Sequence, residues 1–201
     1  MSRDEAKAAT RQKILRGARE VFADKGYHGA LVDDIVRVSG TSKGAVYHHF
    51  PTKQALFVAL VDEFASHLAT AVTQAIEGRH GALAKVEGAL RAGLETFARH
   101  RELARILLLE AMSLGETYEA KRTEVHSRFA ALIRAYLDEA VAEGSIPPLN
   151  TEVATFAWLG AVNEVVIQWL HTGRPDLPTE ALPALTELLL RSIGAGTSPS
   201  A

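Results

Sequence analysis

The residues with the most chemical promise lie between positions 41 and 50, Thr41-Ser42-Lys43-Gly44-Ala45-Val46-Tyr47-His48-His49-Phe50. Hydroxyl, ammonium, phenol and imidazole groups crowd this stretch, and such groups donate to phosphate oxygens or contact base edges. On a helix, Val46 and Phe50 share one face, which leaves Ser42, Lys43, Ala45, Tyr47 and His48 facing outward. Gly44 and Ala45 keep the first exposed turn small, so the helix end can enter a major groove closely. His48 and His49 are adjacent and point about 100° apart, a poor start for a metal site. Catalytic chemistry is thin. There is no Cys and no G-x-S-x-G, P-loop or H-E-x-x-H pattern. Glu164 and His171, seven apart on one helical face, form a conceivable carboxylate–imidazole pair without a nucleophile or substrate clamp. The chain is expected not to be an enzyme and to hold no metal or cofactor.

The elements that position these groups read as helices throughout. Apolar residues recur at helical spacing and no stretch alternates like a strand, so the expected class is all-α with about nine helices. Ile14, Ala18, Val21 and Phe22 mark the core face of a first helix that stops at Gly26. Short helices are expected over about 32–39 and 43–50, separated by Gly40-Thr41-Ser42. Gly40 can take the positive φ that leaves the second helix sharply, and Ser42 can cap the third by accepting from the Ala45 N–H. This is the plan of a helix-turn-helix, at about 31–50. A tight corner in a helical bundle is the competing reading of the same geometry.

Thr52 is a plausible N-cap for a long fourth helix striped by Leu56, Leu60, Phe64 and Leu68. Further helices are expected over about 83–100, 101–114, 117–143, 151–171 and 179–193. Pro51 is the sole proline before residue 144, which suits near-continuous helix because an interior proline costs ~3 kcal/mol. The expected domains are residues 1–52 for the helix-turn-helix head, 53–194 for a helical body and 195–201 for a frayed tail.

Composition bounds the class. The chain has 201 residues, 47% apolar, with 15 Gly and 7 Pro, an ordinary globular mixture rather than a disordered, collagenous or disulfide-stapled one. Without cysteine, zinc ribbons and thiol chemistry are excluded. The charged N-terminus lacks an apolar signal segment, so a cytoplasmic location is expected. The net charge of −2 divides unevenly, with +4 over residues 1–55 and −6 over the remainder. A basic head on an acidic body suits a polyanion partner, although the asymmetry is modest.

Residues 14–60 resemble the TetR family of transcriptional regulators, whose pattern runs I-L-x-A-A-x-x-x-F-x-x-x-G-Y, then V-x-x-I-A-x-x-A-G-V-S-x-G-x-x-Y-x-H-F-x-x-K. The matching positions are Ile14-Leu15, Ala18, Val21-Phe22, Gly26-Tyr27, Val32, Ile35, Gly40, Ser42-Lys43-Gly44, Val46 to Phe50, Lys53 and Leu56. The resemblance implies double-stranded operator DNA as partner. It implies a groove-facing set Thr41, Ser42, Lys43, Gly44 and Ala45, contacts from Tyr47 and His48, and a phosphate contact from Lys53. His49 reads as a structural, hydrogen-bonded wedge. Ala30-Leu31 depart from the hydroxyl pair usual before the second helix, losing the N-cap hydroxyl and also a phosphate contact; Asp33 or Asp34 cannot replace the phosphate contact because they repel phosphate. Val36 and Thr41 also depart, standing where Ala and Val are common; all are expected to tune affinity and operator choice.

The helix over 151–171 is apolar around most of its circumference. Phe156, Leu159, Val166 and Leu170 read as one face, and Trp158, Val162, Val165 and Trp169 as nearly the opposite one, with Glu164, Gln168 and His171 as a polar stripe. Those polar groups argue against a membrane span. Burial on two sides points to a homodimer, the arrangement the family implies, with Trp158, Val162, Val165, Trp169, Leu185 and Leu189 at its interface. The two-fold would match a palindromic operator.

The resemblance also implies a small-molecule effector, with Phe97, Leu107, Glu110, Met112, His126, Phe129 and Trp158 as candidate lining. Glu110 draws notice as a carboxylate among apolar residues that needs a partner, from Arg105, Arg128 or a ligand. The apolar and aromatic lining leans to a lipophilic effector, such as a fatty acyl compound. The expected function is a ligand-released repressor. The alternative is a helical ligand- or partner-binding protein whose helix-turn-helix no longer binds DNA.

Overall fold

The computed structural model describes residues 2–110 and 115–194, leaving Met112 and the tail outside. Nine α-helices and no strand are found among the described residues. They are α1 Arg3–Gly29, α2 Val32–Ser39, α3 Lys43–His49, α4 Lys53–Ile76, α5 Ala82–Arg99, α6 Arg101–Arg105, α7 Glu116–Ala142, α8 Thr151–Thr172 and α9 Leu182–Ser192. The helix expected over 101–114 is divided, since α6 gives way to a π-helical turn at Ile106–Glu110. A second π-helical turn, Leu177–Ala181, precedes α9. Within α1, Gly26 leaves helical geometry at φ 67°, so the break falls where the sequence places it.

The chain forms two compact units, residues 1–66 with 100–122, and 67–99 with 123–201. In the first, Ile14, Leu15, Ala18, Val21 and Phe22 of α1 are buried with Ile35 of α2 and with Val46 and Phe50, which flank α3's inner side. The Phe22 ring meets Phe57 of α4 edge-on at 5.5 Å, and Tyr27 meets Phe57 at 5.2 Å. Burying a large apolar side chain contributes about 1.5–3 kcal/mol, so this cluster holds the head together. Gly17 lets α1 and α2 touch: a Cβ there would lie 2.9 Å from both the Cβ and the backbone N of Ser39.

In the second unit, Ala82, Val86, Leu137, Ala140, Ile146, Trp158, Leu189 and Ile193 form a core. The Lys85 ammonium lies 2.7 Å from the Glu139 carboxylate, joining α5 to α7, and the Trp158 indole N–H donates to Ser192 at 3.2 Å. Asn150 caps α8 by accepting from the Val153 N–H. By length and composition alone, α4 and α8 would match a bilayer; each also carries buried apolar residues.

Here the two-faced reading of α8 needs correction. At about 100° per residue, the Phe156 and Trp158 sets centre only about 105° apart, and the structure makes most of both one broad inner arc. Trp158, Val166, Trp169 and Leu170 are buried, with Leu159, Val162 and Val165 half-buried beside them. Phe156 falls outside the arc, exposed with Val153, Ala157, Gly160, Glu164 and Gln168. Four of the six expected interface residues, Trp158, Trp169, Leu185 and Leu189, are therefore buried inside their own protomer.

Candidate nucleic-acid interface

Three short-range devices shape α3. Gly40 ends α2 at φ 62°, ψ 31°, the left-handed region glycine enters without a Cβ penalty. Ser42 accepts from the Ala45 N–H at 3.1 Å and fixes the first turn of α3. Val46 and Phe50 then anchor its inner side. The outer side carries Ser42, Lys43, Gly44 and His48, all exposed, with Tyr47 at 45% exposure and Thr41 and Ala45 half-buried. Apart from buried Val46, the run Thr41–His48 is thus gathered on one small ledge.

The electrostatics of that ledge depend on partners distant from it in sequence. The Lys43 ammonium lies 2.8 Å from the Asp33 carboxylate, and both side chains are more than half exposed. The Asp33 hydrogen bond and charge raise the Lys43 pKa. Asp34 is a hub: its carboxylate accepts from Lys25 at 2.8 Å, from Arg37 at 3.4 Å and, weakly, from the Leu31 backbone N–H at 3.4 Å. The Lys25 hydrogen bond leads in holding its pKa below the ordinary carboxylate value. Asp34 thus reaches back to the N-terminus of α2, where the Leu31 side chain forms no cap. The spacing of Leu31 and Asp34, three apart at a helix start, was the signal that could have found it.

Lys53 is placed differently from a free phosphate donor. Its ammonium donates to the carbonyls of Tyr27 at 2.8 Å and Ala30 at 3.0 Å, and lies 4.3 Å from the Tyr27 ring centroid. Burial lowers its pKa. It ties the end of α1 to the start of α4, while Thr52 caps α4 through the Ala55 N–H at 3.0 Å. His49 is half-buried between His48 and Phe50, ring centroids 5.3 and 6.4 Å away. No hydrogen bond holds it among the described residues, so it wedges by packing. Burial lowers its pKa most, followed by the charges of His48, Lys7 and Arg11.

The expected effector residues fall in both units. Trp158 belongs to the α5–α7–α9 core, and Phe97 and Leu107 are buried in different units. Half-buried His126 stacks on Phe156 at 6.4 Å, while Phe129 is half-buried further along α7. The Glu110 side chain and Met112 lie outside the described residues.

A short capped helix, seated on a buried three-helix scaffold and carrying small and donor residues outward, defines a helix-turn-helix DNA-binding regulator. Residues 14–60 match the family described as bacterial regulatory proteins, tetR family, and residues 79–193 match the tetracyclin repressor-like C-terminal domain. The chain belongs to the TetR family of transcriptional regulators. It is 31% identical over 188 residues to the HTH-type transcriptional repressor AcnR of Corynebacterium efficiens, covering 92% of each chain. It is 29% identical over 150 residues to the HTH-type transcriptional regulator UidR of Escherichia coli, covering 73% of this chain and 74% of that one. Among solved structures, the fatty acid degradation regulator FadR from Bacillus halodurans shares the fold, with a TM-score of 0.83 at 23% identity over 90% of this chain and 94% of that one. FadR from Bacillus subtilis, solved in complex with stearoyl-CoA, has a TM-score of 0.81 at 21% identity over 90% and 98%.

Proposed function

We propose that this protein is a repressor that binds a palindromic operator as a homodimer and is released by a small lipophilic effector. The observation that carries the DNA-binding part is the ledge of α3: Ser42, Lys43, Gly44, Tyr47 and His48 stand exposed on a sealed core. Lys43, Tyr47 and His48 contact the duplex, and Thr41, Ser42, Gly44 and Ala45 permit close approach of the backbone to the groove. Lys53, tied to two carbonyls, is assigned to positioning α4. The head reads DNA, the helical body beyond residue 52 senses and dimerises, and the protein works in the cytoplasm.

The partner copy is assigned to the open side of α8 and its neighbour on α9. Val153, Phe156 and Leu188 are 61%, 53% and 59% exposed, and Ala157 and Gly160 between them permit close helix approach. For the effector, the acyl-CoA bound by the Bacillus subtilis fold-mate supports testing long-chain acyl compounds first. Phe97, Leu107, Glu110, Met112, His126 and Phe129 remain its candidate lining, whereas Trp158 is assigned to the core.

The test is selection of duplexes from a random-sequence pool, followed by gel shift and a long-chain acyl-CoA titration. Enrichment of an inverted repeat whose half-sites lie about one helical turn or a multiple apart is the expected result. Release by acyl-CoA at concentrations that leave a Phe97→Ala variant bound would support the effector class. Failure to enrich any duplex would remove the DNA-binding assignment, and acyl-CoA without effect would remove the effector class.

A further inference from the structure

The first eleven positions of α1, residues 3–13, bury no side chain; the core begins at Ile14. At 1.5 Å per residue that overhang is about 16 Å long. It is nevertheless built with care. The Glu5 N–H donates to the Ser2 hydroxyl at 3.1 Å, and the Ser2 N–H donates to the Glu5 carboxylate at 2.7 Å, a reciprocal cap that fixes where the helix starts. Such an overhang contributes little to the core, so its value lies in what it presents.

It presents Arg3, Lys7 and Arg11, all exposed and spaced by four, so that they stand on one face. That face runs beside the reading helix. The Arg11 guanidinium lies 5.1 Å from the Phe50 ring centroid at the end of α3, and Lys7 and Arg11 are both electrostatic neighbours of His49. Among the described residues, no carboxylate lies within ion-pair distance of these three bases. Four other cations around the helix-turn-helix are committed: Lys43 to Asp33, Lys25 and Arg37 to Asp34, and Lys53 to two carbonyls.

We infer that the overhang of α1 is a phosphate clamp: Arg3, Lys7 and Arg11 bind backbone phosphates flanking the groove that α3 reads, and supply more of the electrostatic affinity than Lys43 or Lys53. The inference rests on the DNA-binding reading and deepens it. The division of labour is definite. The ledge of α3, whose lysine is partly neutralised, chooses the sequence, and the clamp supplies charge without regard to sequence.

The test uses the full-length protein and a labelled 30-base-pair duplex recovered by the wild-type chain from a random-sequence pool, titrated from 50 to 300 mM salt. Each phosphate that the protein no longer neutralises lowers the slope of log affinity against log salt by about 0.9. The Arg3→Ala/Lys7→Ala/Arg11→Ala variant, which removes six phosphate contacts from the dimer, is expected to lose a slope of about 5.4 and, at 0.15 M salt, about 10,000-fold in affinity. Lys43→Ala and Lys53→Ala, two contacts each in the dimer, should each lose a slope of about 1.8 or less. Lys7→Glu, which leaves Arg11 packed over Phe50, should weaken every duplex alike with an unchanged melting temperature, and Lys7→Arg should restore binding. A wild-type protein that recovers no duplex overturns both the clamp and the DNA-binding reading. A triple variant with the wild-type slope, or a decrease for Lys43→Ala as large as the triple variant's, overturns the clamp alone.

Discussion

Lys43 and Asp33 form an ion pair on the ledge proposed to meet DNA, their polar atoms 2.8 Å apart. A phosphate reaching Lys43 has to displace that carboxylate and then sit beside it, so the pair lowers affinity on both counts. Asp33→Asn is expected to raise affinity for the selected operator several-fold and to steepen the salt slope of the dimer by up to about 2, as fluorescence anisotropy would show. His49 gives a second prediction at this scale. Its folded pKa lies below the ordinary 6.5, so the unfolded chain binds the extra proton more readily and stability rises with pH through that window. The stabilisation is fully present above about 6.5 and is lost as pH falls through the lower folded value. Melting temperatures should therefore drop from pH 7.5 to pH 5.5, and His49→Gln should flatten the profile. An equally steep profile in that variant would remove His49 from the account. Sequence alone marked Lys43 and His49 as notable but hid their partners, because Asp33, Lys7 and Arg11 meet them only through the packing of three helices.

At the scale of the element, the contact between α1 and α2 depends on one missing methyl group. Gly17→Ala would place a Cβ 2.9 Å from Ser39 Cβ and backbone nitrogen, and backbone has no rotamer by which to move away. Overpacking of this kind costs about 1–3 kcal/mol, and chemical denaturation should show it. DNA binding should weaken too, since α2 orients α3 through Gly40. Asp34→Ala should lower the melting temperature by releasing Lys25, Arg37 and the Leu31 N–H together. Periodicity and capping residues made α2, α3 and the break at Gly26 legible almost to the residue, because local signals decide them. They missed the π-helical turns at Ile106–Glu110 and Leu177–Ala181, where one extra residue per turn leaves no mark in an apolar pattern.

At the scale of the whole molecule, the open side of α8 is the face proposed to meet the partner copy. Phe156→Arg with Leu188→Glu would charge a surface that is already exposed in the protomer, so the fold should survive while the dimer dissociates in light scattering. Leu189→Ala, by contrast, should cost about 2–5 kcal/mol of stability, because Leu189 is core. If the charged pair leaves the dimer intact, the open face is not the partner's. The aromatic and aliphatic content of α8 told that the helix is heavily buried, but not which arc faces its own chain. That choice is made by α5, α7 and α9 together, and no pattern within one helix contains it.

Gly44 separates two properties that most substitutions confound. A Cβ there would meet nothing nearer than the Ser42 hydroxyl at 3.9 Å, and alanine is the better helix former by about 0.5–1 kcal/mol. A Gly44→Ala protein should therefore withstand heat slightly better than its parent while gripping its target less well. A screen for thermal robustness would enrich it, a screen in living cells would discard it, and the distance between those two rankings would measure how tightly polypeptide and double helix fit.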